Sequence, residues 1–317
     1  MPNLGAWAAA GIAAAVVGLL AAALAARCSP APPTRFQWFV LLAILLGGLA
    51  GHAVLGMWPR WPPTGALDRL LVVILPGSIA LEWLLMRWLW PARQEILWRV
   101  LAGGCWLRVL VHDSVYLQSG VLSSYLWSWP ALVVGGGLWG SLQWSVVRLG
   151  RRTPVASAVP LLAASLGTAG LMIVLAGYLK GGAVALVWSA AVLGSSLGVV
   201  VDRRAASLSA VIGVVYTLLC GLALVGCWFG AVEVWASMLV IAAPLAGWLV
   251  ELPSFRNWPT AVRELIRWGL VLGSLVMLLV LAKRRFDREL RPLLSRGQPV
   301  VVTGGLKGEL SDGWGRA

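Results

Sequence analysis

The chain has 317 residues, 60% of them hydrophobic and 12% charged, with a mean hydropathy of +0.85 and a formal net charge of +13. Soluble domains carry about 25% charged residues, and this chain lacks the polar surface to cover a water-soluble globule of its size. A soluble enzyme, a disordered chain, a coiled coil and a disulfide-rich secreted module are thereby excluded, and the composition is that of an all-α, polytopic membrane bundle.

At about 20 apolar residues per crossing, ten transmembrane helices are expected, at 4–26, 36–58, 70–89, 97–118, 130–148, 155–179, 182–201, 205–228, 231–250 and 265–282. They form one transmembrane domain over 1–282, followed by a basic, flexible tail over 283–317. The first span has no Lys or Arg before Arg27, so it lacks the basic n-region of a secretory signal and reads as a retained helix. Trp-Pro pairs at Trp58-Pro59, Trp61-Pro62, Trp90-Pro91, Trp129-Pro130 and Trp258-Pro259 punctuate the boundaries. Trp prefers the headgroup interface, and Pro stops a helix or opens the next one. Gly47-x-x-x-Gly51, Gly136-x-x-x-Gly140 and Gly194-x-x-x-Gly198 are expected at close helix contacts. Gly135-Gly136-Gly137 marks the fifth span as a candidate broken helix. Cys28, Cys105, Cys220 and Cys227 show no C-x-x-C spacing and read as small buried hydrophobes.

Loop arginines set membrane orientation. Thirteen lie in the loops after odd-numbered spans, against three basic residues after even-numbered ones. This puts the odd loops in the cytoplasm and the N-terminus outside. The tail opposes the pattern, with eight basic residues on what ten crossings make the outer side. An alternative lays 253–268 in the interface as an amphipathic helix with Arg263 and Arg267 on one face. Basic loops and tail attract anionic lipid headgroups, so the expected partners are the bilayer and those headgroups, with a membrane-protein partner or a second copy; nucleic acid is not expected. Only Lys180, Lys283 and Lys307 are lysine, a usage suggesting a GC-rich bacterial genome and so a bacterial cytoplasmic membrane.

An ionisable residue inside the bilayer needs a partner or a role. Candidates are Arg108, near the middle of the fourth span, His112 one turn on, and Asp113 beside it, with Glu82 on the third span and His52 on the second. Read functionally, Arg108 is the fixed cation of a substrate-anion or proton site, Glu82 or Asp113 titrates, and His112 relays. Read structurally, Arg108 pairs with Glu82 or Asp113 for packing, and His52 is a hydrogen-bonded packing histidine. No metal spacing, P-loop, dinucleotide fingerprint or nucleophile elbow is present, so no cofactor and no catalytic residue is expected.

Shifting the chain by 168 aligns 71–111 with 239–279 without gaps, with 11 identities in 41 positions. Pro76 meets Pro244, Trp90-Pro91 meets Trp258-Pro259, and Arg99 meets Arg267. In size and helix count, with Pro244 and Glu251 ahead of the last span, the chain is similar to the drug/metabolite transporter class of carriers. That class has inverted halves of five helices, which the loop charges here do not reproduce. The functional expectations are a small-molecule or ion carrier, a non-catalytic membrane subunit or assembly partner of a larger complex, and an intramembrane lipid-modifying enzyme.

Overall fold

A computed structural model describes residues 4–28, 33–88, 92–112, 129–202, 208–255 and 257–289. They form ten long helices with no strand among the described residues: α1 (Leu4–Cys28), α2 (Pro33–Leu55), α3 (Ala66–Arg87), α4 (Ala92–Val111), α5 (Trp129–Gly150), α6 (Val155–Leu175), α7 (Leu179–Asp202), α8 (Ser209–Phe229), α9 (Val234–Glu251) and α10 (Thr260–Glu289). Eight are long and apolar enough to cross a membrane. The other two, α4 and α5, are diluted by charge and by glycine respectively: α4 carries Arg93, Glu95, Arg99 and Arg108, and α5 carries Gly135-Gly136-Gly137.

Residue contacts fix the helix directions. Glu251 meets Arg263 and Arg267 at one end of the α9/α10 hairpin, and Glu233 meets Arg285 at the other. Gly136 and Gly140 of α5 lie on Gly104 and Val100 of α4, Gly213 and Gly221 of α8 on Glu82 and Leu70 of α3, and Gly47 and Gly51 of α2 on Ala14 and Ala10 of α1. Each of these pairs is antiparallel. Gly194 and Gly198 of α7 lie on Ala15 and Ala22 of α1, a parallel pair. Successive helices therefore alternate in direction, and α10 is a full crossing. The interfacial placement of 253–268 is overturned: α10 is continuous from Thr260, and Arg267 is buried against Glu251 and Glu264.

At the centre stands α8, in which every residue from Ser209 to Gly226 is buried. A helix apolar on all sides has no solvent or lipid face to present, and α2, α3, α5, α6, α7 and α9 surround it. The three Gly-x-x-x-Gly pairs all sit at helix contacts, where a Cβ would strike the neighbouring helix. The fifth helix is unbroken through its triple glycine, because Gly136 packs on α4 rather than lining an opening. Positive φ is used at Gly56 and Gly177. Met57 N–H reaches His52 O and Tyr178 N–H reaches Ile173 O, closing α2 and α6 with the left-handed glycine that such a cap requires.

Several boundaries differ from the apolar runs. The fourth helix begins at Ala92, five residues before the expected span, and α10 extends beyond its run at both ends to Thr260 and Glu289. In each case the added residues include charged groups held in ion pairs, Glu95 in α4 and Arg263, Glu264, Lys283 and Arg285 in α10, so the helix extends past the purely apolar stretch. The last helix thus takes in Lys283 to Glu289, residues expected to belong to the tail. Cys105 departs from the buried reading: it is exposed on α4.

Candidate functional site

Two charged clusters lie at the end of the bundle where α3 meets α4 and α9 meets α10. In the first, Glu82 sits five residues before the end of α3, while Glu95 and Arg99 occupy the first two turns of α4. A carboxylate in a first turn is favoured by the helix dipole, and an Arg four residues later lies on the same face. Arg99 is fully buried; its two terminal nitrogens donate to the two Glu82 oxygens at 2.5 and 3.0 Å, a bidentate pair. Its Nε and Nη2 also donate to Glu95 Oε1 at 3.3 and 3.1 Å. Arg151, just past α5 and half-exposed, donates to both Glu95 oxygens at 2.9 and 3.0 Å. The four charges alternate in sign and cancel. Glu82 is seated against Gly213 of α8, where any side chain would displace it.

The second cluster repeats the chemistry. Buried Arg267 of α10 donates to Glu251 of α9 at 2.6 Å and to Glu264 one turn earlier on its own helix. Arg263 donates to the other Glu251 oxygen at 3.1 Å, and Ser157 of α6 donates to Glu264. The aligned arginines, Arg99 and Arg267, thus each join a carboxylate from the preceding helix to one from their own. The carboxylates stand one residue out of register in the ungapped alignment, which is why the alignment pairs only the arginines. Both hairpins also lose regular α geometry at the aligned prolines. A π-helical turn, Leu70–Ile74, precedes Pro76, and a 3-10 segment, Ala243–Glu251, contains Pro244. A missing N–H at proline removes one ladder bond, which the local winding absorbs.

Among the described residues, those singled out from sequence do not form one cluster. Glu82 pairs with Arg99, nine residues or about 13 Å along α4 from Arg108. Arg108 is exposed, three residues before the last residue of α4. His112 follows directly, and its carbonyl accepts from Arg69, which also donates to Thr64 O at 3.2 Å. That contact sets His112 level with the loop before α3, so Arg108 lies one turn inside that boundary rather than at mid-bilayer. Asp113 falls outside the described residues. His52 is buried, its Nε2 accepting from Trp188 Nε1 at 3.2 Å with the rings edge to face, which matches the packing reading. Beside this end of the bundle, burial and the charge of Asp68 push the Tyr178 phenol up from its ordinary pKa.

Sequence reasoning missed Glu95, Arg99, Glu251, Glu264 and Arg267 because it counted the arginines as loop charges. The signal was available in Glu95-x-x-x-Arg99 and Glu264-x-x-Arg267, carboxylate–arginine pairs at helical spacing. Among the described residues, no three of His, Cys, Asp or Glu are placed to hold a metal ion. Gln143 of α5, fully buried, donates to Gly213 O and Thr217 Oγ1 of α8 at 3.0 and 2.9 Å, and Tyr216 of α8 donates to Ile241 O of α9 at 3.0 Å. These groups tie the centre to its neighbours and complete no acid–base pair. Comparison of the chain with family models, with curated proteins and with solved structures gives no match.

Proposed function

We propose that the chain is a non-catalytic membrane component, a scaffold or assembly subunit that docks laterally on another membrane protein. The observation that carries this reading is how its intramembrane charges are used. Glu82, Glu95 and Arg99 neutralise one another, and Arg267 is matched by Glu251 and Glu264, in buried contacts. A carrier or a lipid-modifying enzyme would turn such groups toward a chamber. The outward face of α4 adds support. Leu97, Trp98, Leu101, Cys105 and Arg108 are all exposed along it, an apolar stripe bearing one guanidinium. A partner helix offering a carboxylate at that level fits this chemistry. The arginine-rich composition supports a bacterial cytoplasmic membrane as the setting.

Cys105 stands one turn from Arg108 on the same face and serves as a native handle. A photo-crosslinker carried on that thiol in native membranes is expected to capture one membrane protein, and Arg108→Leu to abolish capture without changing expression. Capture of a second copy of the chain would make the assembly a homo-oligomer. Crosslinking to lipid alone, together with substrate accumulation by the purified protein in liposomes, would overturn the reading.

A carrier remains the second reading, and a specific observation favours it. Two proline-interrupted helices with matching arginine–carboxylate latches at one end of the bundle resemble the closed gate of an alternating-access protein. In that case Glu82→Gln and Glu264→Gln would loosen the latches and change uptake rates in proteoliposomes.

A further inference from the structure

A cavity of about 360 Å³ opens at the far end of the bundle, between the end of α6, the start of α9 and the last turns of α10. Met172, Leu175, Trp235, Leu278 and Leu281 give it apolar walls, and Arg284, Arg285 and Arg288 stand at its rim. A second apolar cavity of about 330 Å³ lies along the same α6/α10 seam, under Lys283. Leu175 and Phe286 line both cavities, so the two lobes share one ridge.

Two of the rim cations are matched. Arg285 pairs with Glu233 at 2.9 Å and Lys283 with Asp287 at 3.4 Å. Arg284 and Arg288 pair with no carboxylate among the described residues, yet both line the first cavity. Four residues apart on a helix, two like charges face each other and repel. An anion held between them removes that repulsion. They lie just past Ala282, where the apolar run of α10 ends, the level at which a lipid phosphate sits. Basic pockets between membrane helices at that level suit lipid head groups. We propose that this groove binds an anionic two-chain phospholipid, its phosphate between Arg284 and Arg288 and one acyl chain in each lobe beside the Leu175–Phe286 ridge.

The experiment uses the full chain in a neutral detergent, with bound lipid counted by native mass spectrometry during titration with phosphatidylglycerol or phosphatidylcholine. The expected result is retention of one phosphatidylglycerol and not phosphatidylcholine. Binding should fall about 30-fold in Arg284→Gln/Arg288→Gln, at roughly fivefold per charge near the surface. Arg148→Gln/Arg152→Gln removes the same charge from the exposed opposite end and should leave binding unchanged. Ala282→Phe, which fills the first lobe, should weaken binding while the guanidinium groups stay in place. Equal retention of both lipids, or equal loss in the two double variants, would show only diffuse attraction and overturn the proposal. So would competition by inorganic phosphate or glycerol phosphate at millimolar concentration, which would make the ligand a soluble anion.

Discussion

Arg99 has no exposed surface, so its charge is tolerated only through Glu82 and Glu95. Taking one partner from a buried pair leaves an uncompensated charge and costs about 3–5 kcal/mol. Arg99→Met would strand two neighbouring carboxylates, and it should be the most damaging single change in the cluster. Glu82→Gln/Arg99→Met removes a matched pair while Arg151 still serves Glu95, so it should recover a large part of that loss. Arg151 is 47% exposed, and its replacement by Ala should cost no more than about 1 kcal/mol, as for surface pairs. Thermal unfolding in detergent orders the three variants. An Arg99→Met protein as stable as Arg151→Ala would contradict the account. At this scale the sequence is only half legible. Glu82 is conspicuous as a carboxylate inside an apolar run, but its partner lies across a turn, in a stretch charged enough to read as a loop. Helical spacing from Glu95 to Arg99 is visible in one dimension, whereas the seat of Glu82 on Gly213 of α8, over a hundred residues away, is a product of tertiary packing.

Helix pairs in this bundle touch backbone to backbone where glycine permits it. The α4/α5 contact is the clearest case: a Cβ on Gly140 would fall on the backbone at Arg99 and Val100, whereas one on Gly137 would meet nothing. Gly140→Ala therefore has to push two helices apart, and overpacking of this kind costs about 1–3 kcal/mol. It also shifts Arg99, tying helix packing to the charge cluster. Gly137→Ala, on the same helix and one turn away, should be neutral or stabilising by up to about 1 kcal/mol through helix propensity. The pair is a controlled comparison, since both variants make the same chemical change in the same element. Equal melting temperatures for Gly140→Ala and Gly137→Ala would refute close packing at that seam. Small-x-x-x-small spacing announces such seams in sequence, but not which helix lies opposite; that α1 receives the glycines of both α2 and α7 follows only from the assembled bundle.

For the molecule as a whole, ten helices follow from the apolar runs because each crossing needs its own stretch of about 20 residues. Which side faces the cytoplasm follows less well. The expected orientation rests on thirteen basic residues in the odd loops, and two of these, Arg99 and Arg267, are buried in ion pairs. Eleven remain at that end, and the opposite end carries eleven once the eight basic residues from Lys283 onward, four of them in the last turns of α10, are counted with its three loop residues. The loop bias therefore cancels, and the conflict between loops and tail disappears along with the orientation it supported. What the fold does determine is relative placement. Helices alternate in direction and α10 is a full crossing, with Arg285 beside Glu233 at the end where α9 begins. The start of α1 and the end of α10 must then lie on one side of the membrane, with Arg151 and Arg263 on the other. Single cysteines at Gly5, Arg151, Glu233 and Arg288, each in a background without the four native cysteines, test this with an impermeant thiol reagent. Gly5, Glu233 and Arg288 should label together from one side and Arg151 only from the other. Labelling of Arg288 with Arg151 would mean that α10 does not cross, and would remove the end-to-end pairing on which both latches and the lipid groove depend.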